Sequence, residues 1–119
     1  MLKRILKTLK FEAVRVGDSK MTRGGEYDIT LKRKGFKFIT KYHANIYDNV
    51  NIEDVLYCLI LDSDCWESSE NVHDFARSYG YEDYDKACKA YHDCKTTYMR
   101  LREIFTESEI NALRAELNA

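Results

Sequence analysis

The segment SYGYEDYDKACKAYHDCKTTYMRL, from Ser78 to Leu101, holds five of the nine tyrosines, two of the four cysteines and one of the three histidines. Thiols and imidazoles at that density could hold a metal or support nucleophilic chemistry, and their spacing decides between these uses. Cys88 and Cys94 are six residues apart, which on a helix turns them about 120° away from each other. Cys88 and His92 have the right spacing for one ion, but no C-x-x-C pair anchors a zinc site. A nucleophile needs a base held beside it. Cys65, in the loop-like DSDCWES, instead has Asp54, Asp62, Asp64, Glu67 and Glu70 as sequence neighbours. Those acids raise a thiol pKa and suppress the thiolate. Gly-rich phosphate loops, G-x-S-x-G and H-E-x-x-H are all missing from the sequence. The expectation is a protein without a metal or other cofactor, and not an enzyme.

Charge is the other source of chemistry. The net charge is −1, yet residues 1–42 carry 12 Lys and Arg against 4 Asp and Glu, while residues 43–119 carry 7 against 16. The two parts therefore stand at +8 and −9, a division that bears on partners rather than on fold. Lys32, Arg33, Lys34, Lys37 and Lys41, interleaved with Phe36, Phe38 and Tyr42, form a basic ribbon of the kind that contacts nucleic-acid phosphates. Because lysines and aromatics alternate, they are expected on opposite faces, with the aromatics toward the core. Residues 44–85 contain eleven acids and one basic residue, Arg77. Asp54, Asp62, Asp64, Glu67, Glu70 and Asp74 there are the candidate acidic surface for a partner with a basic channel.

Elements that would position these groups follow from periodicity. FEAVRV, EYDITLK and GFKFITKYH alternate with period two, the mark of strands with one buried face. The stretch LKRKGF closes the second and third into a hairpin at Gly35. Leu2, Ile5, Leu6 and Leu9 have helical spacing, which fits a short helix or a ragged first strand. From Asn51 the period becomes helical. Asn51 caps a helix bearing Ile52, Val55, Leu56, Leu59 and Ile60, and Ser69 is the expected cap of a shorter one that Gly80 ends. Ala87, Tyr91, Cys94, Tyr98, Leu101 and Phe105 recur every three or four residues, one face of a long helix from about Asp83 to Phe105. Thr106 and Glu109 have capping-box spacing ahead of Ile110, Leu113 and Leu117. The tyrosine-rich segment thus reads mainly as a packing seam.

The fold class is α+β: an N-terminal three-stranded antiparallel β-meander with about four C-terminal helices packed on one face. A chain of 119 residues is expected to be one domain, residues 1–119, with a basic β part (1–45) and an acidic helical part (50–119). Apolar residues in MLKRILKTLK alternate with lysines and do not form a signal or membrane segment, so the expected setting is intracellular with reduced thiols.

EDVLYCLILDSDC, HDFARSYGYEDYDKACKAYHDC and LREIFTESEINALR together resemble a family of small, largely uncharacterised accessory proteins of tailed phages and prophages. The matching positions run from Asp54 to Leu59, then Phe75, Gly80, Tyr81, Lys86, Ala87, Tyr91, Cys94, Leu101 and Phe105. Where the relatives tend to have D-S-R-K, this chain has DYDK. The resemblance implies a phage gene acting in the cytoplasm of a bacterial host. It also implies a stoichiometric binder of a host protein or ribonucleoprotein complex, such as an anti-CRISPR-like inhibitor working through the acidic surface. The alternative is a small nucleic-acid-binding protein of phage replication that uses the basic ribbon.

Overall fold

The computed structural model describes residues 1–117. In chain order it comprises α1 (Leu2–Lys7), β1 (Lys10–Asp18), β2 (Gly25–Arg33), β3 (Phe36–His43), α2 (Ile52–Glu67), α3 (Val72–Ser78), α4 (Tyr84–Ile104) and α5 (Glu107–Leu117). This is the expected α+β arrangement, a three-stranded antiparallel meander in the order β1-β2-β3 followed by four helices. The N-terminal segment adds a fifth helix. Ile5 of α1 is buried, and the Leu2 N–H donates to Glu116 of α5 at 2.8 Å.

Alternation sets the sheet. Phe11, Leu31 and Phe38 lie opposite one another, as do Ala13, Ile29 and Thr40, so one face is apolar. Lys34 and Gly35 form the two-residue turn between β2 and β3 with φ of 50° and 87°. Two positive φ values match the right-handed twist of the flanking strands, and glycine adopts them freely. In β1 an extra residue bulges between Arg15 and Gly17. Gly24 is required by space: a Cβ there would lie 2.1 Å from the Ala44 carbonyl oxygen.

Local hydrogen bonds set the helix starts. The Asp54 N–H donates to Asn51 Oδ1 at 2.9 Å, with Glu53 and Asp54 in the first turn. Asn71, rather than the expected Ser69, caps α3 by accepting from the Asp74 N–H at 2.9 Å. The Ser69 hydroxyl instead donates to the Cys65 carbonyl, because α2 runs on to Glu67 and absorbs the segment expected to be a loop. Gly80, at φ 74°, follows the end of α3. Thr106 and Glu109 make the reciprocal box at 3.0 and 3.1 Å.

Ile29, Leu31 and Phe38 of the sheet join Val55, Leu56, Leu59 and Ile60 of α2 in one core. Leu101, Ile104 and Phe105 from the end of α4, and Ile110 and Leu113 from α5, complete it. Arg33 closes the hairpin end of this core and is only 5% exposed. It continues the Ile29, Leu31 face, so its side chain enters the protein and leaves the ribbon. Its guanidinium donates to both oxygens of Glu109 at 2.8 and 2.5 Å, to the Ile104 carbonyl at 3.0 Å and to Thr8 Oγ1 at 2.8 Å. Arg33 holds the Glu109 carboxyl down at about 2, against an ordinary value of 4.5, with the Thr106 bonds adding to the effect. A carboxylate whose pKa is lowered by folding stabilises the fold above its unfolded pKa, and the contribution fades as pH falls through its folded value. Urea unfolding midpoints should therefore decline between pH about 4.5 and about 2. Glu109→Gln should lower the midpoint at pH 7 and flatten that decline; an unchanged acid limb would show that the pair does not carry the pH dependence.

Candidate nucleic-acid interface

Packing accounts for the tyrosine-rich seam. Trp66 of α2 lies 4.7 Å from Tyr98 and 6.4 Å from Tyr91, ring centre to ring centre. Phe75 of α3 meets Tyr91 edge-on at 5.6 Å, and the Arg102 guanidinium sits 3.5 Å above the Tyr98 ring. Burial pushes the Cys94 thiol up to about 12, with Asp62 and Cys65 adding to it, and burial likewise raises Cys58. Tyr42, beside Cys58, is also pushed up to about 12, chiefly by burial. At neutral pH these two thiols and this phenol keep their protons. Among the described residues no group of three or more His, Cys, Asp and Glu side chains is placed to hold a metal ion. Tyr91 is half-buried. Tyr91→Ala should therefore cost about 2 kcal/mol, below the roughly 3–5 kcal/mol of a fully buried aromatic. Thermal melting measures this, and an unshifted midpoint would remove Tyr91 from the seam.

The six candidate acids do not share one face. Asp62 and Asp64 are two residues apart on α2, about 200° around its axis. Asp64 takes a two-pronged contact from Arg114 of α5 at 3.0 and 2.7 Å, and Glu67 lies 3.7 Å from Arg102. Asp74 accepts from the Glu70 N–H and lies 4.0 Å from Arg77, while Asp54 accepts from the Asn51 side chain. Asp54, Asp62 and Glu70 make no ion pair among the described residues. Asp62 lines a cleft of about 600 Å³ between β3 and α4, together with Ile39, Lys41, His43, Lys89 and Asp93. Asp62 is exposed as a residue, yet the cleft walls strip water from its carboxyl and, with Asp93 adding, raise it to about 6. A carboxyl raised by folding adds stability below its unfolded pKa that is lost as pH climbs through the folded one. Asp62→Asn should accordingly leave stability near pH 3 unchanged and raise it at pH 7. Equal midpoints at pH 7, followed by chemical denaturation, would place the carboxyl in open water.

Most of the basic ribbon assembles at the hairpin end of the sheet. Lys10, Lys32 and Lys37 are direct partners across β1, β2 and β3, a transverse row spanning about 10 Å at ordinary strand spacing. Lys34 stands in the adjoining turn. All four are exposed, and none is within ion-pairing distance of a carboxylate among the described residues. Lys41 differs, since Asp28 binds it at 2.5 Å and raises its pKa. Arg33 is withdrawn altogether, a correction to the expected ribbon. With Thr8 and Phe36, the four lysines line a concavity of about 400 Å³.

Phe36 is the second departure. Phe38 is 3% exposed, as its alternation requires, but Phe36 is 50% exposed. It stands opposite Arg33 in the last pair of the hairpin, while Arg33 turns in over the Phe105 ring, 5.2 Å from its centre. The alternation of Tyr27, Ile29 and Leu31 already points Arg33 inward, and Glu109 of the capping box was its available counter-charge. No sequence signal exposes Phe36. No family model matches this sequence, and no curated protein or solved structure matches it either.

Proposed function

We propose that the protein binds nucleic acid through phosphate contacts at the hairpin end of its sheet. One observation carries this reading: Lys10, Lys32, Lys37 and Lys34 line a shared concavity whose lining holds no acidic residue, and the nearest acid of that face, Glu12, pairs with none of them. Like charges directly opposite one another on neighbouring strands are destabilising, and a polyanion converts that cost into binding. The reading fits the replication role among those that the phage resemblance implies. Four phosphates neutralised correspond to a log–log salt slope of about −3. Gel-shift titration at two salt concentrations should give that slope. The triple variant Lys32→Glu, Lys34→Glu, Lys37→Glu should abolish the shift, whereas Lys41→Glu, which removes a lysine already paired to Asp28, should weaken it little. Absence of any shift at low salt would overturn the proposal.

The segregation of charge, +8 in residues 1–42 against −9 beyond, favours a second reading. In it the acidic part binds a basic surface of a host nucleic-acid-handling complex, as an anti-CRISPR-like inhibitor would. Asp54, Asp62 and Glu70, the candidate acids that form no ion pair among the described residues, are its remaining anchors, and the two reversed here are Asp62 and Glu70. This reading expects Asp62→Lys with Glu70→Lys to abolish capture of a protein partner from nuclease-treated host lysate. It also expects the lysine reversals to leave that capture intact.

A further inference from the structure

We infer that the ligand of the hairpin end is a single-stranded nucleic acid, with one base stacked on Phe36 while the flanking phosphates lie on the lysine row; this rests on the phosphate-binding reading above. Phe36 is half exposed, has no aromatic partner and lines the same concavity as Lys10, Lys32, Lys34 and Lys37. Phe36 shares the Arg33 face and the lysine row the opposite one, so ring and lysines meet around the sheet end at the concavity they both line, and a ring placed there is useful only to a base whose own face is free. Inside a duplex each base face is covered by its neighbours, whereas single strands can splay a base onto an aromatic side chain. Size agrees with this. The concavity of about 400 Å³ lies within the roughly 300–1,000 Å³ of small-ligand sites, room for a nucleotide rather than for a double helix. The lysine row spans about 10 Å across three strands, which suits a few phosphates of one strand passing over the sheet end.

The residue composition of the site sets the expected selectivity. Lysines are point charges that read no base edge, and a phenylalanine ring has no hydrogen-bonding group. Binding should therefore be tolerant of sequence and specific for strandedness. Position also explains why Phe36 and not Phe38 does this. Phe38 sits under the helices, while Phe36 lies at the end where Arg33 and Phe105 seal the core, leaving its ring at the solvent boundary.

The test uses the full chain and a short fluorescein-labelled oligodeoxythymidine, alone and as the duplex with its complement, read by fluorescence anisotropy at low salt. The single strand should bind more tightly than the duplex. Phe36→Ala and Phe36→Leu should each weaken single-strand binding at least about fivefold without changing the salt slope, and Phe36→Trp should restore it. Phe36→Leu keeps an apolar side chain of similar bulk, so a loss there reports stacking and not a damaged fold; circular dichroism of each variant verifies the fold. If neither strand nor duplex binds the parent protein, the phosphate-binding reading itself falls. If both bind equally, if Phe36→Leu binds like the parent, or if Phe36→Ala weakens both ligands alike, the single-strand inference is overturned while the phosphate-binding reading stands.

Discussion

A guanidinium buried at the end of a three-stranded sheet must satisfy its donors inside the protein, and Arg33 does so by drawing four elements together. It reaches Thr8 after α1, the carbonyl of Ile104 at the end of α4 and both carboxylate oxygens of Glu109 in α5, while belonging itself to β2. Removing one member of such a pair leaves a buried charge uncompensated, a loss of about 3–5 kcal/mol. The pair thus does more to fix which elements meet than to add net stability. Glu109 is committed twice, since it also accepts from the Thr106 N–H in the capping box. The start of α5 and the end of β2 are therefore one electrostatic unit. Every residue of the hairpin tip inherits its position from that anchor.

The tip then divides its charges. Arg33 goes inward, neutralised, and Lys32, Lys34 and Lys37 stay outward without carboxylates. The acidic part of the chain behaves in the reverse way. Its cations are few, but Arg102 and Arg114 are placed among the acids: Arg114 against Asp64, and Arg102 against Glu67 and Glu107. These contacts brace α2, α4 and α5 against one another and use carboxylates that would otherwise face a partner. A near-zero net charge therefore conceals two unequal surfaces. One is partly compensated from within, and the other carries lysines without an ion-paired carboxylate among the described residues.

What the sequence made legible was local. The hairpin followed from alternation on either side of Lys34-Gly35, the start of α5 from the Thr106, Glu109 spacing, and the seam of α4 from its three-and-four recurrence. Each is decided by residues within one or two turns of each other. The positions that departed depend on distant partners. Ser69 lost the cap of α3 to Asn71 because α2 continued three residues past Asp64, a matter of how Trp66 packs on Tyr98 of another helix. Phe36 is exposed in the hairpin pair whose other member, Arg33, packs inward on Phe105, a residue separated from it by most of the chain. The acidic residues were legible as a composition but not as a surface, because their pairing to Arg102 and Arg114 is set by helix packing.

The lysine row has a competing explanation that the topology weighs directly. Lysines on strand edges keep a sheet from pairing with other chains, and Lys10 on β1 and Lys37 on β3 suit that role. Lys32 does not, because β2 is the central strand with both edges already paired. Edge protection gives no reason to put a third lysine between the other two, where it faces like charge on both sides. Glu12 and Thr30 occupy the next row of the same face, so an acid on that face is compatible with the fold. The clustering thus opposes the sheet's own pairing, and under the proposed reading a ligand that neutralises it would bind the folded chain in preference to the unfolded one, adding stability through mass action. Relief of that repulsion would then be one contribution to the proposed binding of a polyanion, beside counterion release.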